Sequence, residues 1–74
     1  MTKLPLVSGR EAVAALCRAG YGVDHQTGGH IILRHVDPPY RRLSIPNHKE
    51  LARGTLRAIL RDAGLTVHQF VDLL

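Results

Sequence analysis

The spacing of the apolar residues changes period twice along this chain, and that succession constrains the fold more than any other feature. Val13, Leu16 and Cys17 recur at helical spacing, with Ala12 beside them. From Tyr21 the period falls to two. After Pro46 it returns to the i, i+3, i+4, i+7 stripe in Leu56, Ile59, Leu60 and Ala63. A pattern of one period does not settle into the other structure, so the order must be helix, strands, helices. Ser8-Gly9-Arg10-Glu11 is a capping box and Gly20 a terminating glycine, which predicts a first helix over 9–19.

Within the strand region, strict alternation puts Tyr21, Val23 and His25 on one face and Gly22, Asp24 and Gln26 on the other. Thr27-Gly28-Gly29 is a hairpin signal, because glycine adopts positive φ without steric cost. His30 to His35 is the second strand. Asp37-Pro38-Pro39 turns the chain, and Tyr40 to Ile45 is the third strand, closed by Pro46. The second helix opens at Gly54-Thr55 and ends at Gly64. Thr66 to Gln69 caps a third, with Val67, Phe70, Val71 and Leu74 as its stripe. Each helix is apolar on one side, so the helices must cover one face of the sheet and leave the other wet.

The expected fold is therefore α+β: an α-β-β-β-α order with a three-stranded antiparallel sheet and helices packed on one face. Its expected core is Val13, Leu16, Cys17, Val23, Ile31, Leu33, Leu43, Ile45, Leu56, Ile59, Leu60, Phe70 and Val71.

Seventy-four residues allow one domain, 1–74, with little core to spare. The lone Cys17 cannot form an internal disulfide and reads as a small buried hydrophobe. Pro5 interrupts the first residues, so no export signal is expected. No apolar run could span a bilayer, and a cytoplasmic location is expected.

Ten Lys+Arg against six Asp+Glu give a net charge of +4, and eight of the ten cations are arginine, whose planar fork suits phosphate. Seven of the ten follow residue 33, including the i, i+4, i+8 ridge of Arg53, Arg57 and Arg61. That placement favours a nucleic-acid partner more than the net charge does.

Alternation on the second strand puts Ile31, Leu33 and His35 under the helices and His30, Ile32 and Arg34 on the open face. Arg42 and Ser44 share that face by parity, and Lys49 can reach it from the following loop. Gly28 and Gly29 leave room for a phosphate or sugar beside His30. An exposed histidine beside arginines is the minimum equipment for RNA cleavage. Imidazole exchanges protons near neutral pH, arginine neutralises phosphorane charge, and the ribose 2′-OH serves as nucleophile without a metal.

Spacing alone fits an ordinary exposed histidine as well. His48 could supply a second proton, or simply face water. No HxxxH, CxxC, P-loop, GxGxxG or GxSxG is present, so neither a metal site nor a small-molecule cofactor is expected. Two non-catalytic alternatives stand beside cleavage. One is a module that binds double-stranded RNA by shape. The other is a helix-turn-helix DNA binder around Gly64, disfavoured because Thr66 to Leu74 carries no cation.

The order of motifs resembles the HicA toxins of bacterial toxin–antitoxin systems. The stretches that carry the likeness are Leu4-Pro5-Leu6-Val7-Ser8-Gly9-Arg10-Glu11, Leu16-Cys17-Arg18-Ala19-Gly20-Tyr21 and Gly28-Gly29-His30-Ile31-Ile32-Leu33-Arg34-His35. They continue through Ile45-Pro46-Asn47-His48-Lys49-Glu50-Leu51 and Gly54 to Leu65. The resemblance implies a double-stranded-RNA-binding-domain-like fold, a ribosome-independent mRNA endoribonuclease, and a HicB-family antitoxin that masks the active site. It places the catalytic histidine at His30. The family has a Gly-Ser pair before that histidine where this chain has Gly28-Gly29, so the serine hydroxyl is missing here. Gly28, Gly29, Arg34, Arg42 and Lys49 are the expected substrate contacts.

Overall fold

The computed structural model describes residues 3–74; Met1 and Thr2 lie outside them. Along the chain run α1 (Gly9–Arg18), β1 (Tyr21–Thr27), β2 (His30–His35), β3 (Arg42–Pro46), α2 (Arg53–Ala63) and α3 (Val67–Leu73). The strands form one antiparallel sheet in the order β1-β2-β3, as the α+β expectation requires.

Local chemistry sets the boundaries. Ser8 Oγ accepts from the Glu11 N–H at 3.0 Å while Glu11 Oε1 accepts from the Ser8 N–H at 2.9 Å, which satisfies two amides at the start of α1. Thr66 and Gln69 repeat this box at α3. The N-cap of α2 is Ala52, which offers no side-chain cap, but Gly64 ends that helix in the left-handed region at φ 73°. β3 begins two residues later than expected, because Tyr40 has φ 57° and completes the Asp37–Tyr40 turn instead.

Ile31 pairs with Ile45 and Leu33 with Leu43, and all four are buried beneath the helices. α1 lies across β1 and β3, α2 packs against β3, and α3 packs against α1. Phe70, Leu16, Leu33, Ile45 and Leu56 are the largest fully buried side chains. Fully burying one such side chain is worth roughly 1.5–3 kcal/mol.

Four expected core residues are not fully buried, although Val13 still packs against the core. Cys17 is exposed and Val13 half-buried, because α1 buries a small-residue face of Gly9, Ala12, Ala15 and Leu16. Val71 is half-buried at the margin of α3. Val23 is 56% exposed, since only the first residue of β1 lies under the helices. In their place Leu4, Val7, Ala12, Ala15, Tyr21 and Leu51 complete the core.

Gly9 explains the close approach of α1. A Cβ built there would lie 2.1 Å from the Pro46 carbonyl oxygen, so only glycine lets the helix start against the end of β3. The Gly9 N–H donates to the His48 carbonyl at 2.9 Å, and the Leu51 N–H donates to the Val7 carbonyl at 2.8 Å. The segment before α1 and the 47–51 loop therefore run side by side.

Candidate functional site

The face of the sheet away from the helices is built in three cross-strand rungs. Thr27, His30 and Pro46 form the first, His25, Ile32 and Ser44 the second, and Gly22, Arg34 and Arg42 the third. Cross-strand partners point to the same side, so these residues share one surface. His30 opens the central strand directly after the two-residue Gly28-Gly29 turn. Gly28 carries φ 55°, the positive φ that a II′ hairpin places first. A Cβ at either glycine would meet nothing within 4 Å, which leaves the approach to His30 clear.

The presence of His25 in the second rung overturns the expected face assignment. Val23 pairs with Leu33, yet His25 pairs with Ile32, so Asp24 is the extra residue of a β-bulge. The bulge reverses the alternation, and His25 leaves the side of Tyr21 and Val23 for the side of His30. A second observation agrees. Consecutive strand side chains normally point apart, but Asp24 Oδ2 and His25 Nδ1 meet at 3.0 Å.

The remaining expected contacts are only partly brought together. Arg34 and Arg42 lie directly opposite one another in the third rung, both exposed and neither with a carboxylate partner among the described residues. Like charges in that relation repel, by an amount that a bound anion would reverse. The Arg34 guanidinium also lies 5.1 Å from the centre of the exposed Tyr40 ring, above a shallow hollow of about 370 Å³ beside Gly22, Val23 and Asp24. The sequence reading starts the third strand at Tyr40 and gives it no role, whereas the structure sets it in the turn before β3.

Lys49 is not on the sheet. It sits exposed in the loop after β3, and that loop is held to the hairpin because the Asn47 N–H donates to the Gly29 carbonyl at 2.7 Å. The ridge of Arg53, Arg57 and Arg61 is exposed along α2.

The histidines divide by their partners. His35 has both ring nitrogens occupied: Nδ1 accepts from the Asp37 N–H at 3.0 Å, and Nε2 donates to the Ala19 carbonyl at 3.2 Å. It also sits edge-on to Tyr21 with ring centroids 4.8 Å apart, a purely architectural placement. His68 lies 3.5 Å from Asp72 on α3. The His48 ring is exposed while its carbonyl holds Gly9. The His30 ring is exposed and has no hydrogen-bond or ionic partner among the described residues. Those residues contain no group of three or more His, Cys, Asp or Glu placed to hold a metal ion, and no helix long and apolar enough to cross a membrane.

The structure defines a small α+β domain whose helices back one face of a three-stranded sheet, with the exposed Arg34 and Arg42 on the other. The model of the HicA toxin family of bacterial toxin–antitoxin systems matches residues 9–65, and the chain belongs to that family. It is accordingly the toxin of a toxin–antitoxin system and has an antitoxin partner. No curated protein matches the chain.

Proposed function

We propose that this toxin is a single-domain, metal-independent mRNA endoribonuclease that works without the ribosome in the cytoplasm. His30 acts as the general acid or base. Gly28 and Gly29 give the backbone approach, and Arg34, Arg42 and Lys49 hold phosphates. A HicB-family antitoxin neutralises it by covering the open face with an acidic segment, since opposite potentials steer and register such a partner. The observation that carries the reading is the exposed His30, without a hydrogen-bond or ionic partner among the described residues, on the same open surface as the opposed Arg34 and Arg42. Imidazole next to a guanidinium pair supplies proton transfer and charge neutralisation in one place.

The test compares wild type with His30→Ala for melting temperature, RNA affinity and cleavage rate, with a chelator present. Alanine removes no core volume, so stability should change by no more than about 0.5 kcal/mol. Cleavage should fall by roughly 10²–10⁴-fold. Affinity should persist, because phosphate contacts supply most of it. A variant that cuts RNA as fast as wild type rules out His30. If neither form cuts while both bind duplex RNA, a non-catalytic RNA-binding module is the better reading.

A further inference from the structure

We infer that His25 is the second proton-transfer group of this site, working with His30 across the open face; the inference rests on the RNA-cleaving reading given above. The bulge at Asp24 brings His25 opposite Ile32, and His30 lies two residues before Ile32 on the same strand. The two histidines are thus diagonal neighbours, a relation that separates such residues by roughly 7–8 Å. A phosphodiester lying between two imidazoles needs about that span. A bulge is also a recognised way to re-aim one side chain beside an active site.

Asp24 makes the ring usable. Its carboxylate takes the Nδ1 hydrogen of His25 at 3.0 Å, which fixes the ring and leaves Nε2 as the atom that exchanges a proton. The titratable or charged groups facing His25 are Asp24 on its own strand and His30 and Arg34 on β2, with Ile32 and Ser44 completing its rung. The other histidines are less suited. His35 has both nitrogens occupied, His68 is on α3, and His48 belongs to the loop beyond β3.

Cleavage then needs nothing but the two rings and the RNA. The ribose 2′-oxygen bonds to phosphorus as its proton passes to one neutral imidazole. The bond from phosphorus to the 5′-oxygen breaks as the other ring, an imidazolium, gives that oxygen a proton. The products are a 2′,3′-cyclic phosphate and a free 5′-hydroxyl. One proton is taken and one given, so the step balances.

The experiment measures kcat and KM across pH for wild type, His25→Ala and His30→Ala on two substrates. One is an RNA oligomer. The other is uridine 3′-(4-nitrophenyl phosphate), whose leaving group departs without being protonated. On RNA, His25→Ala should lose on the order of 10²–10⁴ in kcat with an unchanged melting temperature, and its pH profile should keep a single limb. On the aryl ester one of the two variants, and not both, should recover; that one lacks the general acid. Three outcomes overturn the pair. His25→Ala could keep kcat and both limbs while His30→Ala is inactive, which leaves a one-histidine site. His25→Ala could raise KM alone, which makes the ring a binding contact. Recovery of both variants, or of neither, on the aryl ester also removes the pair. The parent reading falls separately, if His30→Ala cuts like wild type or wild type cuts neither substrate.

Discussion

The two sides of β2 put one six-residue strand to opposite uses. Ile31 and Leu33 are buried between Ile45 and Leu43 on one side and the helices above. His30 and Arg34 alternate with them and are exposed, with only Ile32 half-buried between the two. Stability is therefore concentrated on one face and charge on the other, and a substitution should act on one property according to the parity of its position. The strand can carry unpaired charge on its wet side because its dry side pins the register.

The sharpest way to break this contrast is to compare neighbours on the two faces by thermal melting. Leu33→Ala should cost about 2–5 kcal/mol, enough to unfold much of a domain this small. Ile32→Ala, one residue away, should cost about 1 kcal/mol. Equal losses would mean that the open face is covered in the folded protein.

Gly9→Ala probes how far the dry side supports the wet one. The added methyl meets the Pro46 carbonyl, a backbone group that cannot swing aside. Overpacking of this kind costs about 1–3 kcal/mol. The displaced segment leads into Asn47, which holds Gly29, so RNA cleavage should fall together with the melting temperature. A destabilised variant with undiminished cleavage would uncouple the two faces.

Replacing Arg34 and Arg42 together with alanine should weaken RNA binding and flatten its salt dependence. On single-stranded RNA the slope should fall by about 0.7 for each phosphate that is no longer neutralised. Without RNA the double variant should be about equally stable, because relief of the like-charge opposition offsets loss of the Arg34–Tyr40 contact. An unchanged salt slope moves the binding surface to Arg53, Arg57 and Arg61.

The smallest expected effect on stability is that of Gly29→Ser. No atom lies within 4 Å of a Cβ there, and the residue has no positive φ to lose. The melting temperature should hold to within about 0.5 kcal/mol of stability. Cleavage should rise if the new hydroxyl reaches the phosphate or the His30 ring. A lower rate would show that the glycine pair is needed bare.

Elements with a strong internal period are legible in the sequence, and those set by contacts between distant segments are not. His30 to His35 reads correctly in extent and in facing, because Ile31 and Leu33 alternate with polar neighbours. The end of α2 is marked by Gly64 and the start of α3 by Thr66 and Gln69. Leu4, Val7 and Leu51 escape assignment because they belong to no periodic stretch. The apolar stripe of α1 points about one residue around its axis from the true buried face, since alanines count for little in a hydrophobic stripe yet allow close packing.

On the open face, the placement of His30 and of the glycine turn is legible, whereas the position of His25 is not. After Val23 every residue of β1 is polar, so no alternation remains to mark where the ladder skips a residue. Parity with Leu43 and Ile45 separates Arg42 from Arg41, but nothing in the sequence tells what Arg41 meets. Arg41 donates to the Asp62 carbonyl at 3.2 Å, near the C-terminal end of α2, and Arg42 faces the open side.

The bulge has a further consequence for how much length variation this hairpin can absorb. Asp24 is surplus to the ladder: Val23 and His25 hold their partners on β2 one step apart with or without it. A chain shortened by that one residue could keep Tyr21 under the helices, His25 on the open side and the Gly28-Gly29 turn in register with His30. The same deletion at Gln26 would take up the bulge by moving His25 opposite Ile31 and off the open side, or would shift the turn. Position 24 is thus a place in β1 where the gene can lose a codon and leave the addresses of its neighbours, His25 included, intact. The shortened protein would lack only the carboxylate that steadies His25. Its cleavage rate beside that of Asp24→Asn would separate the charge of that residue from the geometry it creates.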